Sequence, residues 1–105
     1  MDSQLKKGSV EFCILLVISK GDVYTTDILD ILKQAELIVV EGTLYPLLSR
    51  LRKEELVEYR WVESPSGPPR KYYSLTLKGK QKLAAYRESW DQMQKSIKFL
   101  ISKYD

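Results

Sequence analysis

The C-terminal third of the chain limits the fold most. Leu83, Tyr86, Trp90, Met93, Ile97, Leu100 and Tyr104 follow one another at steps of 3, 4, 3, 4, 3 and 4 residues. That spacing is the seam of an amphipathic helix that packs along another helix. A helix over this stretch is about 37 Å long. What remains of a 105-residue chain is one small domain, too small to cover a stripe of that length. The seam therefore predicts a homodimer, with Leu83, Tyr86, Trp90, Met93, Ile97 and Leu100 as its dimerisation residues.

Upstream, "FCILLVI" (residues 12–18) is apolar on nearly every side. As a helix it must be covered on more than one face, and a short buried strand is the competing reading. Gly21-Asp22 stops the run. "VYTTDILDILKQ" clusters Ile28, Leu29, Ile31 and Leu32 on a second helix, with Thr25 or Thr26 as its N-cap. "AELIVV" reads as a linker that can also supply one short edge strand.

"GTLYPLLSRLRKEEL" (residues 42–56) is helical by its leucines but carries Pro46. Helical geometry places Leu47, Leu48 and Leu51 within about 60° of Leu44. Gly42, Pro46, Ser49 and Lys53 fall opposite, flanked by Tyr45, Arg50 and Arg52. A proline in a helix interior costs about 3 kcal/mol, but the first turn has no intrahelical N–H bonds to lose. A helix opening around residues 41–43 puts Pro46 in or just beyond that turn, four residues after Gly42. The resulting face is slim at its centre and basic or hydroxylic around it, a shape that fits the major groove of a duplex.

The period then changes to two. "VEYRWV" alternates Val57, Tyr59 and Trp61 against Glu58 and Arg60, with Trp61 expected in the hairpin core. "ESPSGPP" is a turn, and "RKYYSLT" returns with Tyr73 and Leu75 on one face. Arg70 and Lys71 follow directly after a proline-stiffened tip. Thr76 caps the last helix. The fold class is mainly α with a small β-hairpin: a winged helix-turn-helix over residues 1–77, then a C-terminal dimerisation helix over 78–105. On this reading Tyr45, Ser49, Arg50 and Lys53 meet base edges or phosphates of double-stranded DNA, and Arg70 and Lys71 hold the backbone. A protein-interaction adaptor built on the same winged helix is the alternative.

Composition narrows the chemistry. Histidine is absent and Cys13 is the single cysteine, so the usual general base and metal-ligand sets are missing. No enzyme, no metal and no cofactor are expected, and Cys13 reads as a small hydrophobe. Net charge is −2 over residues 1–40, +1 over 41–71 and +4 over 72–105, a basic balance that permits nucleic acid. No membrane span and no secretory signal are expected, which implies a cytoplasmic protein.

"GTLYPLLSRLRKEELV" followed by "SGPPRKYYSLTLKG" resembles the PadR-like transcriptional regulators, in their short branch with a single C-terminal helix. The resemblance covers nearly the whole chain. It implies a dimeric winged-helix repressor on a pseudo-palindromic operator, relieved by effectors such as phenolic acids or hydrophobic drugs. By position it assigns Thr43, Tyr45, Ser49 and Arg50 to the recognition helix and Arg70 and Lys71 to the wing. Three positions depart from the family pattern: Glu55 for a glycine, Val40 for a polar cap, and Thr25-Thr26-Asp27 for glycine, aromatic and acid. Trp90 and Tyr86, paired with their symmetry mates, would form an aromatic cleft for a planar effector.

Overall fold

The computed structural model describes residues 3–105, with side chains from Ser9 onward. Met1 and Asp2, where the absence of a secretory signal is expected, lie outside the described residues. Helix α1 (Ser3–Ile18) settles the ambiguity of the apolar run in favour of a helix. Ile14, Leu15 and Ile18 are fully buried, while Phe12, Cys13, Leu16 and Val17 pack partly against the same core. Gly21, at φ 127°, turns the chain as only glycine does without strain.

Strand β1 (Val23–Tyr24) leads directly into α2 (Thr25–Gln34). The N-cap of α2 is Tyr24, one residue ahead of the expected threonines, and its N–H donates to the Asp27 carboxylate at 3.2 Å. Thr25 is buried in the first turn instead. Helix α3 (Glu41–Lys53) follows an irregular linker. That linker forms no strand, contrary to expectation. The third strand of the sheet is β1, antiparallel to the centre strand through Val23↔Tyr73 and Tyr24↔Tyr72.

Strands β2 (Val57–Ser64) and β3 (Gly67–Leu75) form the hairpin, and the sheet order is β1-β3-β2. Pairing from Val57↔Leu75 to Val62↔Arg70 is regular, and a register shift precedes Ser64↔Gly67. The strands therefore reach further than the turn-like composition suggests, and Pro68 and Pro69 lie within β3. They are tolerated there because β1 pairs only as far as Tyr72, leaving that side of the tip without a neighbour.

Tyr73, Leu75 and Val57 face the helices and are buried with Ile28, Leu32, Leu44, Leu48 and Leu51. Trp61 corrects the sequence reading: it keeps the inward alternation, but at 61% exposure it stands beyond the helical layer. No helix extends far enough along the wing to cover it.

Helix α4 (Leu77–Tyr104) has 28 residues and is about 42 Å long. Its start is locked to the domain. Thr76 Oγ1 accepts from the Gly79 N–H at 2.9 Å and donates to the Glu55 carbonyl at 2.6 Å. A Cβ on Gly79 would lie 1.9 Å from the Leu56 carbonyl oxygen, so only glycine permits this approach. Leu83 is buried in the protomer's own core and Tyr86 is half-buried. From Trp90 onward the helix leaves the domain and gives the molecule its 57 Å long axis.

Candidate nucleic-acid interface

Helix α3 buries Leu44, Leu48 and Leu51 and exposes Gly42, Thr43, Tyr45, Pro46, Ser49 and Lys53. Pro46 is the sixth residue of the helix, just past the first turn, so a single backbone bond to the Gly42 carbonyl is forgone. Nothing lies within 4 Å of where a Gly42 Cβ would stand. Val40 is the N-cap and supplies no side-chain hydrogen bond. The Thr43 and Leu44 N–H groups donate to the Val40 carbonyl, both at 3.0 Å. The start of α3 is left without a side-chain cap at the positive end of the helix dipole, where the exposed Glu41 carboxylate partly offsets the pull on an anionic ligand.

The C-terminal end of α3 resolves the glycine departure. Glu55 takes φ 62°, the left-handed conformation that glycine favours. Its N–H donates to the Arg52 carbonyl at 2.9 Å, and the Leu56 N–H donates to the Leu51 carbonyl at 2.9 Å. The helix ends in a Schellman motif with a glutamate at its strained position. Helix α2 ends the same way: Glu36 has φ 62°, and the Leu37 N–H donates to the Leu32 carbonyl at 2.8 Å.

Four cations stand against aromatic rings around this surface. Arg52 lies 4.8 Å from the centre of the Tyr59 ring, and Lys71 Nζ lies 4.5 Å from Tyr59 and 5.3 Å from Trp61. Arg70 lies 4.6 Å from the Tyr24 ring. The strand alternation sends Arg70 and Lys71 to opposite faces of the wing, so they do not form one patch. Lys71 shares its face with Tyr59, Trp61 and Arg52; Arg70 shares its own with Tyr72 and with Arg60, which is ion-paired to Asp22. The fourth cation, Lys82, sits against Tyr86 at the root of α4.

Arg50 differs from the other helix residues. Its guanidinium donates to Glu11 of α1 at 2.8 Å and to Glu54 at 3.1 Å. Its hydrogen bond to the Glu11 carboxylate strengthens its hold on the proton, raising its pKa. Burial alone would raise the Glu11 carboxyl, but donation from Tyr86 and Arg50 outweighs it and leaves the group below its ordinary value. Tyr86 is pushed up to about 12, by burial first and by its hydrogen bond to Glu11 second. Glu11, Phe12 and the exposed Trp61 are residues that sequence reasoning did not place at the site, while Arg52 flanks the α3 face as its spacing predicts. Trp61 left a trace in its alternation with Val57 and Tyr59, and the register that sets it opposite Lys71 comes from the fold.

Along α4, Leu83 is committed to the core of its own protomer and Tyr86 to Phe12 and Glu11. Trp90, Met93, Ile97 and Leu100 are each about half exposed, at 46–54%, on one stripe with no cover among the described residues. Phe12 bridges the two parts, stacked on Tyr86 at 5.6 Å and tilted against Trp90 at 6.4 Å. Cys13 is half-buried, and burial pushes its thiol up, which keeps it protonated and unreactive. Among the described residues, no helix is long and apolar enough to cross a membrane.

Helices in this order, a slim exposed third helix and a short antiparallel wing define a winged helix-turn-helix of the DNA-binding class, here with a long C-terminal helix. Residues 14–85 match the model of the transcriptional regulator PadR-like family. A PadR-like transcription factor from Bacteroides fragilis is 50% identical, with 93% of this chain and 95% of that one covered, at a TM-score of 0.80. A PadR-like transcriptional regulator from Bacillus cereus is 39% identical over 94% and 97% of the chains, at a TM-score of 0.84. Bacillus subtilis PadR, solved in complex with operator DNA, is 26% identical at a TM-score of 0.68; the match covers 73% of this chain and 45% of that one. The chain belongs to the PadR-like family of transcriptional regulators.

Proposed function

We propose that this protein is a homodimeric repressor that binds a pseudo-palindromic operator and is released by a small aromatic effector. The observation that carries the reading is the open first turn of α3. Gly42 is exposed there without a side-chain cap, Pro46 and Ser49 continue the same slim face along the helix, and the wing beside it holds Arg70 and Lys71 against aromatic rings. Thr43, Tyr45, Ser49 and Lys53 face the base edges and flanking phosphates, while Lys71 on one side of the wing and Arg70 on the other hold backbone. Arg50 borders this set with its charge engaged inside the chain.

Residues 78–105 serve as the dimerisation unit, and residues 1–77 as the DNA-binding unit. Trp90, Met93, Ile97 and Leu100 pack against the partner's equivalents, which places two recognition helices about 34 Å apart, one turn of the duplex. Leu83 and Tyr86 support this helix from within the protomer. The cluster of Phe12, Tyr86 and Trp90 lies where the seam begins, and supports an aromatic effector site completed by the partner. Such a regulator works in the cytoplasm, beside the DNA it controls.

Selection of bound duplexes from a random library by the purified protein tests the reading. The expected result is a two-fold symmetric site whose affinity falls steeply with salt. Arg70→Ala should weaken all duplexes alike. Salt-insensitive capture, or no enriched sequence, would overturn it in favour of an adaptor.

A further inference from the structure

One carboxylate joins three helices, α1 and α3 of the proposed DNA-binding unit and α4 of the dimerisation unit. Glu11 Oε1 accepts from Arg50 Nη2 at 2.8 Å, and Glu11 Oε2 accepts from the Tyr86 hydroxyl. The bonds link α1 to α3 across 39 residues of sequence and α1 to α4 across 75. The Glu11 side chain is only 18% exposed, so both donors work in a partly dried setting where removing either leaves charge uncompensated. Glu54 adds a second carboxylate to the same guanidinium at 3.1 Å. Arg50 therefore stands between two anions, the surroundings a duplex phosphate would otherwise supply.

We infer that Glu11 is a positioning residue of the DNA-binding surface: it holds the Arg50 guanidinium away from the duplex and anchors that hold to the long helix through Tyr86. The inference rests on the DNA-binding reading given above. Arg52, Arg70 and Lys71 lean instead on neutral rings, which orient a charge without cancelling it. Arg50 alone of the proposed α3 contacts is neutralised in place. The tie to α4 matters because Tyr86 stacks on Phe12, and Phe12 meets Trp90 at the first exposed position of the seam. A change in how α4 lies on α1 thus reaches Arg50 through a single shared carboxylate.

The test is the salt dependence of binding to a non-operator duplex, which counts phosphate contacts. Glu11→Gln removes the negative charge and keeps the shape. Its log–log salt slope should steepen by about 0.9 per protomer, the increment for one added phosphate contact. Adding Arg50→Gln to that variant should return the slope to the wild-type value. A purely structural role for Glu11 would change stability and leave the slope alone, and an unchanged slope in a folded Glu11→Gln protein overturns the inference. Arginine side-chain NMR on the unmodified protein is the independent arm. The Arg50 Nε–H signal should stay put when non-operator duplex is added, and a shift would overturn the proposal without any variant having to fold. If the wild-type protein binds no duplex at low salt, the DNA-binding reading falls and takes this one with it. If it binds with an unmoved Glu11→Gln slope, only the hold on Arg50 is wrong.

Discussion

Helices α3 and α4 begin in opposite ways. The first turn of α4 is sealed: Thr76 caps it, its own hydroxyl is spent on the Glu55 carbonyl, and Gly79 sits against the Leu56 backbone with no room for a Cβ. The first turn of α3 is open: Val40 caps nothing and Gly42 faces empty space. Both turns contain a glycine, yet one glycine is there so that two backbones can touch inside the molecule. The other leaves room for something outside it. A helix start whose polar groups are satisfied internally is built for stability, and one left unsatisfied at the surface is available for binding.

The largest effect expected is at the two glycines themselves. Gly79→Ala should cost about 3 kcal/mol or more, because the obstruction is main chain and cannot swing aside. Gly42→Ala should instead gain up to about 1 kcal/mol from helix propensity while weakening operator binding. Urea denaturation at fixed protein concentration, paired with a mobility-shift titration, separates the two outcomes. Equal effects at both glycines would break the contrast.

Caps come next. Thr76→Ala should destabilise by about 1–2 kcal/mol, the usual loss for a cap that satisfies a helix N–H. Val40→Ser should move the other way by about 1 kcal/mol, since it adds a cap where there is none. Thermal melts of both variants read the difference directly.

The flank of α3 sharpens the comparison through pH. The Glu11 carboxyl is lower in the folded chain than in the unfolded one, so its contribution is complete above the ordinary carboxylate range and is lost as pH falls below it. The Tyr86 hydroxyl is raised to about 12, so its contribution is complete below the ordinary tyrosine value and is lost as pH climbs toward that raised one. Each loss should be on the order of 1 kcal/mol, the net worth of a hydrogen bond. Tyr86→Phe should reduce the alkaline loss in a stability–pH profile, leaving the part that comes from Tyr73, whose hydroxyl burial also pushes up. A profile identical to wild type would remove the junction from the energetics.

The smallest effect concerns how α2 and α3 end. Glu36→Gly and Glu55→Gly should each stabilise by about 0.5 kcal/mol. The left-handed strain relieved slightly exceeds the added freedom of the unfolded chain. Chemical denaturation of the double variant makes the sum measurable.

Much of this molecule is legible in its sequence. The leucine spacing of α3, the alternation from Val57 to Trp61, the Thr76 cap and the seam of α4 are patterns written within a few neighbouring residues. Where the reading missed, the missing information was distant. Val23 and Tyr24 form a strand because Tyr72 and Tyr73 lie alongside, and no local pattern announces that. Trp61 obeys its alternation and is exposed all the same, because burial depends on how far other elements reach.

By itself, then, the sequence determined the order of the four helices and the hairpin, which face of each is apolar, and that the end of α4 has more apolar surface than its own domain can cover. Periodicity alone carries these, since backbone geometry converts spacing into faces. Only the tertiary structure decided that Leu83 belongs to the protomer's own core, that Trp61 stands beyond the helices, and that Arg50 is tied to Glu11. Those facts turn on side chains brought together from remote stretches of chain, where the packing of whole helices, and no neighbour in sequence, sets which charge meets which partner.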